Sequence, residues 1–340
     1  MKKLVLLLVI LLSISSLVFA QAVSDMADIS KSDDVLTVYA YDTFCGDWGA
    51  GNKVVAAFEE KTGVKVNLVS CGATVEMINK IRMEGDKCPA DIILGVSDDV
   101  ASKAYDLVMS DETSELANIP DELKFDPENR LIPFDYGAYA FVYDSESGIG
   151  KPKSLSDLTK DEYKGKVILI DPRTSSVGMG LLLWTYNALG EGYLDWWEKM
   201  KDNALTIASG WSSAYGLFTE GEAPIVISYT TSPVYHVMNE DTTRYQALIF
   251  SDGHEATIES VGILKNAKHS DQAKAFIDFL LTDGQLETAI ANSMYPANTS
   301  LELPSAFDYA PKPAKIFKSG QVSEEKTKEL LEKWTEVMTK

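Results

Sequence analysis

The chain of 340 residues is 45% hydrophobic and 24% charged, with 12 Pro and 22 Gly, which excludes a collagen-like or compositionally disordered polymer and calls for a substantial core in about two domains. Asp and Glu number 51 against 31 Lys and Arg, a net charge of −20 that repels nucleic-acid phosphates and anionic lipid and argues against a general nucleic-acid binder. Such acidity serves solubility, or it helps to recruit a cation.

At the start of the chain, Lys2 and Lys3 precede the apolar run Leu4 to Leu12, and the segment ends Val18-Phe19-Ala20. This reads as a secretory signal peptide over residues 1–20 with cleavage after Ala20. Ser13, Ser15 and Ser16 dilute the run below the ~20 apolar residues of a membrane anchor. Cleavage removes two lysines, leaving 29 − 51 = −22. The expected product is an exported protein, periplasmic in a Gram-negative cell. Three cysteines, Cys45, Cys71 and Cys88, allow one disulfide in any of three pairings or three buried thiols, and their spacing does not suit structural zinc.

After a polar leader at 21–34, Val35 to Ala40 reads as a strand and Lys53 to Lys61 as a helix stopped near Gly63. Val64 to Val69 follows as a strand, then a helix N-capped by Thr74 and closed by Gly85, then a strand from Asp91 to Leu94. This β-α-β-α-β series predicts a parallel sheet with a ligand crevice beyond its carboxyl ends. An extended run, Leu131 to Asp144, leads to a second series: strand Val167 to Ile170, helix Ser175 to Leu189, strand Leu205 to Ala208, helix Ser212 to Phe218 and strand Ile225 to Tyr229. A strand around Ile258 to Ile263 and a helix from Asp271 to Leu281, capped by Ser270, carry the chain back, and a terminal helix from Ser323 to Met338 packs on a lobe through Leu330 and Trp334. The expected fold class is α/β, a two-lobed clamshell with hinge crossings. Lobe 1 is placed at 35–132 and 254–312, and lobe 2 at 133–253 and 313–340.

Tyr41, Trp211, Tyr229 and Tyr235 all fall at or just past strand ends. Singly, each suits core or hinge packing; together they suit a cleft whose aromatic faces hold flat rings or cations. Asp42 and Asp47 add charge nearby. Ser175 and Ser176 open a helix, either as an ordinary N-cap or as donors to a phosphate. Thr230, Thr231 and Ser232 supply hydroxyls, or simply turn before Pro233. Gly178-Met179-Gly180 lacks the third glycine of a dinucleotide fingerprint, where Leu183 stands. No GxSxG, HExxH or P-loop motif occurs. His254 and His269 are expected at the surface. Ser232 with His236 leaves a hydrolytic arrangement open, and Tyr229 with Tyr235 leaves ferric phenolate ligation open, but capture ranks above catalysis.

Several segments resemble the periplasmic thiamine-binding proteins of ABC importers: Leu36-Thr37-Val38-Tyr39-Ala40-Tyr41-Asp42, Pro133-Phe134-Asp135-Tyr136-Gly137, Asp171-Pro172-Arg173-Thr174-Ser175, Gly210-Trp211-Ser212-Ser213-Ala214-Tyr215-Gly216 and Ser228-Tyr229-Thr230-Thr231-Ser232-Pro233. The resemblance covers nearly all of the chain after the leader. It implies the type II periplasmic binding protein fold, shared with ferric-ion and polyamine binders, and a non-enzymatic receptor for thiamine and its mono- and diphosphates. A membrane permease is the implied partner, no cofactor is needed, and a monomer is expected. Carried over residue by residue, Tyr41, Tyr229 and Tyr235 surround the rings, while Ala73, Thr74, Ser175, Ser176, Trp211 and Thr230 to Ser232 hold polar or phosphate groups. Two departures stand out. Gly72-Ala73 replaces the family's acidic pair, and Ser293-Met294-Tyr295-Pro296 replaces Trp-Met-Tyr-Pro, with Tyr295 as a substitute for the lost ring. The alternatives are a ferric-ion or polyamine receptor on the same fold and a hydrolase of a phosphorylated vitamin.

Overall fold

A computed structural model describes residues 35–47, 49–318, 320 and 322–339; the expected signal peptide and leader lie outside the described residues. β1 (Leu36–Ala40) is buried at every position, as a strand covered on both faces must be. β2 (Val66–Ser70) and β3 (Ile92–Ser97) flank it in parallel, with Ala40 opposite both Ser70 and Leu94. The intervening helices, Gly51–Thr62 and Thr74–Glu84, lie where the apolar spacing put them, the first stopped by Gly63 at φ 75. Ala73, not Thr74, is the N-cap of the second. Likewise His269, not Ser270, caps helix Ser270–Leu280; in both cases the expected hydroxyl cap has become the first helical residue.

The second series makes a second parallel trio, with β6 (Val167–Ile170) between β7 (Ala204–Ala208) and β8 (Ile225–Tyr229). Two long antiparallel strands join the trios: β5 (Ile132–Asp144) and β10 (His254–Leu264). β10 pairs with β3 and β5 pairs with β8, so the order along the sheet is β2-β1-β3-β10-β5-β8-β6-β7. Short strands β4 (Val108–Met109) and β12 (Ile316–Lys318) attach to β10, and β9 (Tyr245–Ala247) and β11 (Tyr295–Pro296) to β5.

β5 changes partner midway, and with it the core it serves. Ile132 and Phe134 pack with Leu36, Val38, Phe58 and Phe276, whereas Tyr139, Phe141 and Val142 pack with Ile168, Leu182 and Trp184. The residues between, from Asp135 to Ala138, therefore run from one core to the other. The terminal helix, Glu324–Thr339, buries Leu330 and Trp334 in the second core, the Trp334 ring standing edge-on to Trp197 at 5.6 Å.

His254 corrects the expectation of a surface site. It is fully buried: Nδ1 lies 2.7 Å from the Tyr139 carbonyl, which it must serve as donor, and Nε2 accepts the Phe250 N–H. Burial lowers its pKa, keeping the ring neutral. His269 is half-buried beside Asp91 at 2.9 Å.

The Gly-Met-Gly sequence seats helix Ser176–Leu189 against the sheet. A Cβ on Gly178 would lie 2.5 Å from the Asp171 carbonyl oxygen, and one on Gly180 2.1 Å from the Tyr139 ring. Gly180→Ala should therefore destabilise the protein by about 1–3 kcal/mol, seen as a lower urea midpoint. An unchanged midpoint would show that Tyr139 gives way without strain.

Candidate functional site

Tyr41 leaves the end of β1 as the N-cap of a one-turn helix, Asp42–Cys45. Its ring lies over Gly95 in the neighbouring β3, where a Cβ would sit 1.9 Å from Cδ1 and the backbone takes φ 95; the absent side chain is what lets the ring turn inward. Tyr229 ends β8 and stacks on Tyr139 of β5, ring centroids 5.2 Å apart at 28°. The two tyrosines come from opposite cores, Tyr41 packed on the first and Tyr229 on the second. Tyr229 is close enough to Tyr41 to help hold its hydroxyl protonated. Gly137 keeps β5 clear beneath them, since a Cβ there would meet the Tyr229 ring at 3.5 Å and the Met294 sulfur at 2.8 Å.

Under these rings lie two acids that the sequence reading did not single out. Asp135 of β5 and Glu259 of β10 are directly opposite across the antiparallel pair, at a register shift between Glu259 and Ser260. Asp135 is completely buried and its Oδ2 accepts from Asn292 Nδ2 at 3.0 Å. The same amide reaches the Tyr41 hydroxyl at 3.1 Å. Burial pushes the Asp135 carboxyl well above its ordinary range, reinforced by the charge of Glu259. Glu259 is raised to about 7, again chiefly by burial. Asp98, just past β3 and accepting from the Ile258 and Gly320 N–H groups, is raised to about 7 by burial and by Asp99. Tyr41, Tyr139 and Tyr229 are all driven upward by burial and by these acids. The region is thus acidic and aromatic.

Beside it, Trp211 opens helix Trp211–Thr219, stacks on Tyr215 at 4.9 Å and 18°, and donates from Nε1 to Ser228 Oγ at 2.7 Å. Ser228 Oγ meets Ser232 Oγ at 2.7 Å, and Ser232 Oγ also accepts the Tyr229 N–H. This hydrogen-bonded relay ties Trp211 to Tyr229. Ser175 N-caps helix Ser176–Leu189, accepting from the Val177 N–H, with Ser176 exposed in its first turn. Arg173 is bound to Asp171 through Nε and Nη2.

Other expected members stand differently. Thr230 and Thr231 are buried, the Thr230 N–H held by the Ala138 carbonyl and the Thr231 hydroxyl directed at Met294 sulfur, 3.9 Å away. Asp42 is exposed and accepts from the Thr43 N–H. The Ala73 N–H is taken by Glu76 and the Thr74 hydroxyl by the Gly95 carbonyl. Tyr235 lies not in a loop but in helix Pro233–Asn239, exposed and edge-on to His236 at 5.4 Å. Tyr295 does not join the group: it is buried in a small cluster with Val234 and Phe307, stacked on Tyr136, its hydroxyl donated to Ala310. Strand alternation turns it away, and Met294 is the neighbour that reaches Gly137 and Thr231. His236 pairs with Glu240 and the Tyr215 hydroxyl, while Ser232 serves Ser228, so the hydrolytic arrangement is not assembled.

A signal for the missed acids existed. Asp135 is a charge inside a largely apolar, buried strand run, and Glu259 lies in the middle of the other long crossing strand, where a carboxyl is costly unless it has work to do. Among the described residues, no three His, Cys, Asp or Glu side chains are grouped to hold a metal ion, and no helix is long and apolar enough to cross a membrane.

Comparison with known proteins gives a consistent picture. Residues 53–315 match the family of bacterial extracellular solute-binding proteins. A thiamine-binding periplasmic protein of Brucella melitensis is 39% identical over 301 residues, covering 86% of this chain and 89% of the relative; its counterpart in Escherichia coli is 38% identical, covering 82% and 86%. The solved structure of a periplasmic thiamin binding protein superposes with a TM-score of 0.82 at 35% identity, covering 90% of this chain and 96% of that one. A ferric iron-binding protein A from Mannheimia haemolytica, at 21% identity and a TM-score of 0.69, shares the fold. The type II periplasmic binding protein fold expected from the sequence is the fold observed, and the chain belongs to the bacterial extracellular solute-binding proteins.

Proposed function

We propose that this protein is an extracytoplasmic receptor that closes two lobes over thiamine and delivers it to an ABC importer, acting by capture and without catalysis. The observation that carries this reading is the meeting of Tyr41 and Tyr229, from different cores, over the Asp135 and Glu259 carboxyls. Thiamine is a permanent thiazolium cation joined to a flat aminopyrimidine. Aromatic faces attract such a cation by about 0.5–2 kcal/mol per contact, more as water leaves, and acids beneath them add Coulombic attraction that strengthens on closing. The relatives named for thiamine support the same assignment.

For the mono- and diphosphates, the phosphate would sit at the N-terminal turn of helix Ser176–Leu189, where the Ser175 and Ser176 hydroxyls and the first-turn backbone N–H groups offer donors. Trp211, Ser232 and Tyr235 complete that side, while Tyr295 is withdrawn from the set. Ala73 and Thr74 take part only if closure frees the groups now bonded to Glu76 and Gly95. The lobe boundaries stated above are retained, with β5 and β10 as the crossings. The receptor is taken to work as a monomer.

Thiamine should quench tryptophan fluorescence at stoichiometric addition, and calorimetry with the three vitamers ranks the phosphorylation states. Absence of thiamine binding, with a visible band on adding ferric salt or release of phosphate from thiamine diphosphate, would replace this reading by ferric-ion capture or by hydrolysis. Tyr229→Ala and Trp211→Ala should each weaken thiamine binding at least tenfold, ~1.4 kcal/mol, with an unchanged circular dichroism spectrum; full affinity in both would remove the site. Gly95→Ala, which drives a methyl into the Tyr41 ring, should reduce affinity to a similar degree, and retention of wild-type affinity would show that Tyr41 is not a wall of the cleft.

A further inference from the structure

Asp135 and Glu259 do more than add negative charge to the cleft. Among the described residues, the ionisable groups that act on them are themselves acids: Tyr41 from the end of β1, Asp99 from beyond β3 and Tyr229 at the end of β8, with Tyr139 behind Tyr229. Asp98 stands beside Asp99. The remaining neighbour is the neutral amide of Asn292. Among the described residues, no lysine or arginine is among the charges that shift either carboxyl. Asn292 satisfies Oδ2 of Asp135, but Oδ1, fully buried, has no hydrogen-bond donor, and the Glu259 carboxyl is within hydrogen-bond reach of the Asp135 side chain. Two carboxyls so placed cannot both ionise without a cation between or beside them; the arrangement is stable with a shared proton.

We propose that Asp135 and Glu259 select the charge of the ligand by exchange: a ligand cation bearing an N–H donor takes the place of the shared proton, which leaves to solvent, so cation uptake and proton release are one event. Charge balances, since one positive charge enters and one departs, and no covalent bond changes. This inference rests on the thiamine reading for the identity of the cation. It goes beyond that reading in assigning how the site rejects neutral and anionic solutes: they leave the proton in place and gain nothing from its loss.

The pH dependence has a definite sign. The Glu259 carboxyl, held protonated to about 7 in the fold against about 4 in the unfolded chain, contributes stability below pH ~4 that is lost as pH rises through ~7, and burial holds Asp135 protonated in the same direction. In the ligand-free protein, stability should thus fall between pH 5 and 8. Cation affinity should rise over the same interval.

The experiment is calorimetric titration of the wild-type protein with thiamine at pH 6.5 in two buffers of different ionisation enthalpy. The expected difference in heat corresponds to roughly 0.5–1 proton released per thiamine bound, with affinity rising about tenfold or less from pH 5.5 to 7.5. Glu259→Gln should abolish most of the release, and Asp135→Asn provides the same test should that variant fold poorly. Thiamine binding with no buffer dependence would overturn the exchange while leaving the thiamine assignment intact. Failure of thiamine to bind at all would overturn the assignment instead, and the pair is then judged on the ligand-free protein: a melting temperature that falls from pH 5 to 8 in wild type but less steeply in Asp135→Asn supports the shared proton, and identical slopes refute it.

Discussion

Two carboxyls facing each other across neighbouring antiparallel strands set the terms for everything around them. Burying Asp135, with Glu259 half-buried opposite it, without a basic partner costs free energy that the fold recovers only through protonation or through a bound cation. The surrounding architecture keeps that choice open. Asn292 fixes one oxygen of Asp135 and the Tyr41 hydroxyl together, so the position of an aromatic wall is linked to the orientation of an acid. Tyr139 backs Tyr229 within the second core.

The sheet topology explains why the acids sit where they do. β5 and β10 are the strands that bridge the two parallel trios, so a residue midway along either is near both cores and belongs wholly to neither. A cleft at that place collects side chains from β1, β3, β5, β8 and β10 at once. Glycine keeps it open at the points of tightest approach, Gly95 under Tyr41, Gly137 under Tyr229 and Gly180 behind Tyr139. A Cβ at Gly95 or Gly180 would collide with a ring and one at Gly137 with Met294, and only Gly95 also adopts a backbone angle that side chains disfavour.

Much of this was legible in the sequence because the information was periodic. The short apolar runs read as strands at Val167 to Ile170 and Ile225 to Tyr229 matched the bounds of β6 and β8, and the 3–4 spacing of Val54 and Phe58 gave helix Gly51–Thr62. Tyr41, Trp211 and Tyr229 were found because aromatics at strand ends stand outside that period. What escaped was decided by tertiary contact. Helix Asp283–Asn292 buries Gly284, Gln285 and Thr288, a polar face with little hydrophobic signal. Helix Pro233–Asn239 was hidden by reading Pro233 as a turn, although proline is well suited to a first helical position. Tyr295 is suggested by analogy with a lost ring, yet it faces Tyr136 and Phe307, and Met294 just before β11 is the residue that reaches Gly137 and Thr231. The pairing of Asp135 with Glu259 depends on a register between strands more than 100 residues apart in sequence, which no local pattern reports.

A crystal grown with thiamine decides the matter. On this account, density for the vitamin lies with its thiazolium against the rings of Tyr41 and Tyr229, within the ~6 Å of a cation–aromatic contact, and its amine directed at Asp135 and Glu259. Ordered vitamin anywhere else on the molecule, with both tyrosines and both carboxyls left as they are in the free protein, would mean that the aromatic and acidic cleft is built for another purpose.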